Sequence, residues 1–260
     1  MIVRKMFSKR WLITSLIVFA GFAVLVRLGL WQLDRLEQRR VFNSRIFEQI
    51  DATELKLSSD NLFEDLFEME YRPINVVGEF DFTGQVALRN QYSNNQLGVH
   101  LLTPLLISGA ENIAILVDRG WIPQEDSSPE KWGKYDEPGV QEVTGIIRRS
   151  QLIPQLNMLP DPTLEPGQSG LEVWSQINLE RIVLQIPHKF LNVYIHQTPS
   201  GGLPELPERD EPDIELDEGP HMGYALQWFV FSLILIIGYP FYIRNQEEKV
   251  GNIKIEKNNE

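Results

Sequence analysis

Apolar residues fall into two long unbroken runs with a series of short ones between them. The first run, WLITSLIVFAGFAVLVRLGLWQL, covers 11–33, and the second covers 221–243. At about 1.5 Å rise per residue the first reaches roughly 34 Å, enough to cross a hydrocarbon core of about 30 Å. Both are expected to be transmembrane helices. After Leu33 the pattern DRLEQRRVFNSRIFEQI keeps helical spacing, which predicts that the first helix continues as a charged stalk.

From Tyr71 the period changes. Short runs rich in Val, Ile and Leu predict strands near Ile74–Asp81, Gln85–Asn90, His100–Leu106, Ile113–Arg119, Gln141–Arg149, Glu172–Ile177 and Asn192–Gln197. A short helix is expected over Leu179–Gln185, with Asn178 as its N-cap. QEDSSPEKWGKYDEPG and LPDPTLEPGQSG read as long loops, and PELPERDEPDIELDEGP as an extended acidic linker. The fold class is thus an α+β membrane protein, two transmembrane helices flanking an antiparallel β-rich domain or small barrel.

Charge gives the direction. The approach to the second run carries eight carboxylates against one arginine, whereas Arg244, Lys249, Lys254 and Lys257 follow it. Positive charge beside a membrane end favours the cytoplasm. Two spans put both termini on one side, so 1–10 and 244–260 are expected in the cytoplasm and 34–220 outside it. Arg4, Lys5, Lys9 and Arg10 before the first run also suit a signal peptide, but no small-residue cleavage site follows, and an uncleaved anchor is expected. No transit peptide fits ahead of it, which points to a bacterial or archaeal cell membrane.

Composition then removes functions. The 260-residue chain has no cysteine, so disulfides, thiolate metal sites and cysteine nucleophiles are excluded. A net charge of −12 argues against a nucleic-acid partner. There is no G-x-S-x-G, no phosphate-binding glycine loop and no metal-type histidine spacing. Of the four histidines, His100, His188 and His196 read as ordinary structural residues. Nothing makes a case for an enzyme.

Candidate chemistry lies where the two long runs meet the exterior. Arg27, Trp31, Asp34, Arg35 and Gln38 fall at i, i+4, i+7, i+8 and i+11, one helical stripe. His221, Tyr224, Ala225 and Trp228 form another, with Gln227 beside it. Two spans place both stripes at the same leaflet. Together they offer an imidazole, two guanidiniums and aromatic walls, suited to a flat, apolar, dianionic ligand such as haem, with His221 as axial ligand to the iron and the arginines near the propionates. The same residues also suit an interfacial aromatic belt with a snorkelling Arg27.

The motifs LGLWQLDR, VVGEF, LGVHLLTPL, ILVDRGWIP (Ile115–Pro123), GGLP and HMGYALQWF occur in this order. In that combination the chain resembles the surfeit locus protein one family of cytochrome c oxidase assembly factors, over nearly its whole length. The resemblance implies two transmembrane helices around an extracytoplasmic domain, and help in fitting haem a into the oxidase's catalytic subunit. It also implies haem a binding at the histidine heading the second helix, here His221. The chain departs from the family with Asp118 in place of a usual asparagine, with the acidic LDEGP before His221, and with a long loop from Asp126 to Gly139. ILVDRGWIP itself reads as a buried strand ending in a Gly-containing turn, with Arg119 paired to a nearby carboxylate. Partners are thus the oxidase's catalytic subunit or other assembly factors, in a lipid bilayer. The alternative is a cofactor-free scaffold whose helices and β domain hold an oxidase subunit. A copper chaperone is disfavoured by the missing cysteines and would need an unusual site such as His221 with Met222.

Overall fold

The computed structural model describes residues 2–62, 64–150, 161–163, 170–199, 201, 206–212, 214 and 216–258. They form two compact units, a β unit over Arg45–Ile214 and a helical unit built from Met1–Ser44 and Glu215–Glu260.

In the β unit, the strands are β1 (Leu55–Leu57), β2 (Pro73–Phe80), β3 (Val86–Ser93), β4 (Gln96–Ile107), β5 (Ile113–Pro123), β6 (Val140–Arg149), β7 (Val173–Trp174) and β8 (Lys189–Gln197). Their order is β1-β2-β6-β8-β5-β4-β3-β7, and β2 also pairs with β4. Strands β2, β6, β8, β5 and β4 therefore close on themselves as a barrel, which removes the exposed edges an open sheet would present. Closure requires a close backbone approach at Gly78, opposite Ile107, because a Cβ there would stand 2.3 Å from the Leu106 carbonyl oxygen.

Alternation explains most of the packing. Ile74, Val76 and Phe80 of β2 turn inward and meet Leu105, Ile115, Val117, Val143, Ile147, Val193 and Ile195. Strands β4 and β5 are instead buried on both faces and are rich in apolar residues, interrupted by the buried polar groups His100, Thr103, Asp118 and Arg119. Leu102 and Leu116 pack outside the barrel under helix α3 (Leu179–Val183), beside Trp174 and Ile182. Asn178 caps that helix, its side chain accepting from the Arg181 N–H at 3.1 Å, as the sequence predicts.

Four expectations need correction. The sheet is mixed, since β5–β8, β1–β2 and β3–β7 pair in parallel. Parallel neighbours need a long crossover, and the chain from Pro123 to Lys189 supplies one between β5 and β8. Residues 124–139 are not an open loop, because two 3-10 turns, Gln124–Asp126 and Pro129–Tyr135, bury Trp132 and Tyr135 against Leu101 and Ile122. The acidic linker is not wholly extended into solvent. Glu208 exchanges backbone hydrogen bonds with Trp121, both at 2.8 Å, and accepts from Ser93 Oγ at 2.7 Å. Finally, ILVDRGWIP does not end in a turn. Strand β5 runs on through a bulge in which Arg119 and Gly120 together oppose Leu101. Most of LPDPTLEPGQSG and of the GGLP motif lies outside the described residues.

The helical unit holds α1 (Ile2–Met6), α2 (Leu12–Ile50) and α4 (His221–Asn258). Two stretches, Leu12–Ile50 and His221–Gly251, are long and apolar enough to cross a membrane. The stalk is helical as expected, and α4 continues as a helix beyond 243. The two long helices pair in opposite senses. Ser15 hydrogen-bonds Tyr239 at 2.7 Å, a Cβ at Gly21 would touch Leu235, and one at Gly29 would fall 2.6 Å from the Phe229 ring. At the far end Lys5, Arg10 and Trp11 converge on Glu247 at 3.0, 3.3 and 3.1 Å. Small residues at such contacts let helix backbones approach closely, which dispersion then rewards.

Candidate functional site at the head of the second long helix

The turn into α4 is fixed before the helix starts. Gly219 takes φ +67°, a left-handed conformation that suits glycine, and its N–H donates to Asp217 Oδ1 at 3.0 Å. Pro220 follows, matching the first-turn preference for a residue with no N–H to satisfy. The acidic approach is held to α2 by three side chains. Arg40 grips Glu218 with two bonds of 2.8 and 2.9 Å, Arg39 Nε donates to the Asp217 carbonyl at 3.0 Å, and Asn43 donates to the Leu216 carbonyl at 2.7 Å. Hydrogen bonding to Arg40 holds the Glu218 carboxyl below its ordinary range.

His221 is thereby set on α4 with Nδ1 2.8 Å from Gln32 Oε1. An amide oxygen only accepts, so Nδ1 carries the ring proton. Nε2 makes no hydrogen bond among the described residues. A side chain at Gly219 would lie 3.5 Å from that nitrogen, so glycine leaves the ring edge open. The face below His221 is Ala225, buried, then Phe229 on Gly29.

The other candidate residues are placed differently from the two-stripe expectation. Helix α2 meets His221 through Gln32, whereas Arg27, Trp31 and Arg35 make their recorded contacts along their own helix. Arg27 lies 4.0 Å from Asp34, and Arg35 donates to Gln38 at 3.0 Å while its guanidinium sits 5.9 Å from the Trp31 ring centre. Trp31 and Tyr224 are exposed at 44% and 48%, and Gln227 is exposed too. Trp228 is half-buried and stacks edge-on with Phe231 at 6.2 Å. The geometry thus joins His221 to Gln32, a residue the stripe left out although the motif LGLWQLDR contains it.

A second histidine centre, in the β unit, was not legible from the sequence. Asp118 is buried and lies 3.0 Å from His100 Nδ1 through both carboxylate oxygens, and 3.5 Å from His196 Nδ1. The Gly120 N–H donates to it at 3.2 Å. His196 Nε2 faces the docked linker, 3.2 Å from the Asp210 carboxylate and 3.1 Å from its carbonyl. Burial alone would raise the Asp118 pKa, but the charge and hydrogen bond of His100, then those of His196, carry it well below the carboxylate range. Burial would likewise lower His196, yet its hydrogen bonds to Asp118 and Asp210 push it up to about 10. Both His196 nitrogens face acceptors, so the ring is an imidazolium. Strand alternation turns the next residue, Arg119, to the opposite face, the one that carries Ile115 and Val117. There it is fully buried against Phe80 and Phe82, donates to Gln85 at 3.0 Å and to the Tyr135 carbonyl, and lies 3.4 Å from Glu137. The expected carboxylate partner of Arg119 is Glu137. His188 also has a structural partner, Asp81 at 2.8 Å.

An open cavity of about 800 Å³ in the β unit is bounded by Phe82, Gln85, Trp132, Asp136, Glu172 and Gln185, and none of the four histidines lines it. Among the described residues no group of three or more His, Asp and Glu is arranged to hold a metal ion.

By fold this is a barrel-like β domain inserted in sequence between two apolar helices suited to membrane anchoring. The chain belongs to the SURF1 family, whose profile matches residues 19–233, a span that takes in both helix heads and the β unit. It is similar to the SURF1-like protein of Rickettsia felis, 25% identical over 243 residues that cover 89% of this chain and 97% of the relative. It is also similar to surfeit locus protein 1 of Mus musculus, 25% identical over 223 residues that cover 78% of this chain and 66% of the relative. The family resemblance drawn from LGLWQLDR and HMGYALQWF is therefore met, and relatives occur in bacteria.

Proposed function

We propose that the protein is a membrane-anchored assembly factor for haem-copper cytochrome c oxidase, presenting haem a on His221 to the catalytic subunit or to another assembly factor. Both termini lie in the cytoplasm and the β unit outside it, in a cell membrane. The observation that carries the reading is the setting of His221, whose Nδ1 faces Gln32 Oε1 at 2.8 Å while Nε2 makes no hydrogen bond among the described residues, an arrangement in which a histidine can ligate iron through Nε2. His221 would hold the haem, which would supply an iron centre. Tyr224, Gln227, Trp228 and Trp31 would be the walls for the macrocycle, and Arg27 and Arg35, on release from Asp34 and Gln38, would be the cations for its carboxylates. The acids of the LDEGP segment do not oppose this, since Glu218 is matched by Arg40 and Asp217 caps Gly219.

The test is the absorption spectrum of protein purified in detergent from cells that make haem a. The wild type is expected to carry haem and His221→Ala to lose it. Equal haem in both, or none in either, overturns ligation by His221. Capture of an oxidase subunit that persists unchanged from haem-depleted cells would instead support the cofactor-free scaffold.

A further inference from the structure

We infer that Gln32 is a positioning residue, which locks His221 in the Nδ1–H tautomer and aims its Nε2 lone pair away from α2. The tautomer follows from the 2.8 Å contact between Nδ1 and the amide oxygen. Its use in orienting a ligand to iron rests on the haem reading above. A neutral imidazole in water exchanges its proton between both nitrogens, and the hydrogen bond made by one nitrogen decides which of them is left for a metal. Second-layer acceptors of this kind typically change metal affinity 10–100-fold.

The surrounding packing makes the contact specific. Gly29 lies one helical turn before Gln32 and Phe229 two turns after His221, and the ring of Phe229 occupies the space a Gly29 side chain would fill. That contact sets a helix separation that a glutamine can bridge. Behind it, the buried Asn43 holds the Leu216 carbonyl at 2.7 Å, so His221 enters α4 at one height relative to Gln32. Leu36, the next residue along the same face of α2, is buried at 3% exposure, so Gln32 sits between Gly29 and a buried apolar neighbour. The acceptor is also neutral. An amide leaves the imidazole less electron-rich than a carboxylate does, so Gln32→Glu at the same place is expected to lower the midpoint potential of an iron bound at Nε2.

The experiment has two arms, both on the full-length chain. In the first, haem-free protein labelled with ¹⁵N-histidine is studied by NMR at mildly alkaline pH, the His221 signals being those missing from His221→Ala. The wild type is expected to show a protonated Nδ1 and a bare Nε2, Gln32→Leu the reverse tautomer, and Gln32→Glu the wild-type pattern. Unchanged signals from His100 and His196 report that the β unit is folded. A wild type protonated on Nε2, or a Gln32→Leu variant with unchanged signals, overturns the inference. In the second arm, Gln32→Leu is expected to lower haem affinity about tenfold, with Gln32→Glu retaining haem at a shifted potential. If the wild type binds no haem while the tautomer responds to Gln32 as stated, the haem reading fails and the tautomer assignment stands. If haem is lost in His221→Ala but its affinity is the same in Gln32→Leu, Gln32 has no positioning role and the haem reading stands.

Discussion

His221 and His196 are the same side chain put to opposite uses. His196 has a carboxylate at each nitrogen, is largely enclosed, and carries two protons as part of a buried charge network with Asp118, Asp210 and His100. His221 has one neutral amide at Nδ1 and an open edge at Nε2. A ring whose two N–H groups are both taken is a structural cation with nothing left to offer. A ring fixed by one acceptor keeps a lone pair in a known direction. The difference lies in the partners, and it divides the molecule into a β unit that spends its histidines on its own fold and a helix head that does not.

The sharpest way to break this contrast is to remove Asp118. Asp118→Ala strands two imidazole N–H groups and their charge in a buried site. Breaking a buried ion pair from one side costs about 3–5 kcal/mol, so denaturant unfolding of the full chain should show a loss of that size. Asp118→Asn keeps an acceptor but not the charge and should lose less. His221→Ala should leave the unfolding curve in place while removing haem. If His221→Ala destabilised the protein as much as Asp118→Ala, the division of roles would be wrong.

The same network should give stability a characteristic pH dependence. Asp118 is held below its ordinary value, with burial outweighed by His100 and His196, and Asp210 is held down by its hydrogen bond to His196. Their contribution is present above about pH 4 and is lost as pH falls through the folded values. His196 is raised to about 10, and His100 is raised because the Asp118 charge outweighs burial. Their contribution is complete below about pH 6.5 and is lost as pH climbs towards 10. Unfolding midpoints should therefore decline between those two values in the wild type and decline less in Asp118→Asn. A parallel slope in both would assign the effect elsewhere.

Gly120 tests how the bulge serves the network. Its φ is +114°, and a Cβ would stand 2.3 Å from the Glu208 carbonyl oxygen. Gly120→Ala should cost roughly 1–3 kcal/mol through backbone strain alone. It should also free residues 206–211 from the barrel, measurable as faster proteolytic cutting there. A stable variant with unchanged cutting would mean that the docked segment does not depend on the bulge.

What was readable beforehand follows from the range of each interaction. Strand β2 shows its alternation in PINVVGEF, and β4 and β5 announce double burial by the apolar-rich stretches LLTPLLI and IAILV. Strand β1 is three residues long, too short for a period to appear. Asp118 meets His196 because β5 and β8 pair in parallel across a long crossover, and no local pattern carries that register. Gln32 escapes the sequence pattern for a related reason. The stripe from Arg27 to Gln38 follows the conspicuous polar and aromatic residues, but charges on an apolar helix favour its open side. The pairing face is marked instead by a glycine, and Gly29 makes sense only once Phe229 is known to lie on it.

The smallest effect should come from the most conspicuous ion pair at the helix head. Arg40 and Glu218 are joined by two short bonds, yet both are about half exposed, where solvent screening and side-chain entropy cancel most of the attraction. Asn43 beside them is 6% exposed and binds the Leu216 carbonyl, so it, not the ion pair, anchors the approach to His221. Glu218→Gln should thus leave unfolding, the His221 tautomer and haem occupancy unchanged within error, at low and at high salt alike. Asn43→Ala should weaken haem binding and broaden the His221 NMR signals as the ring loses its fixed height. If Glu218→Gln proved the more damaging of the two, the helix head would be held by charge, and its contrast with the β unit would narrow to a matter of burial.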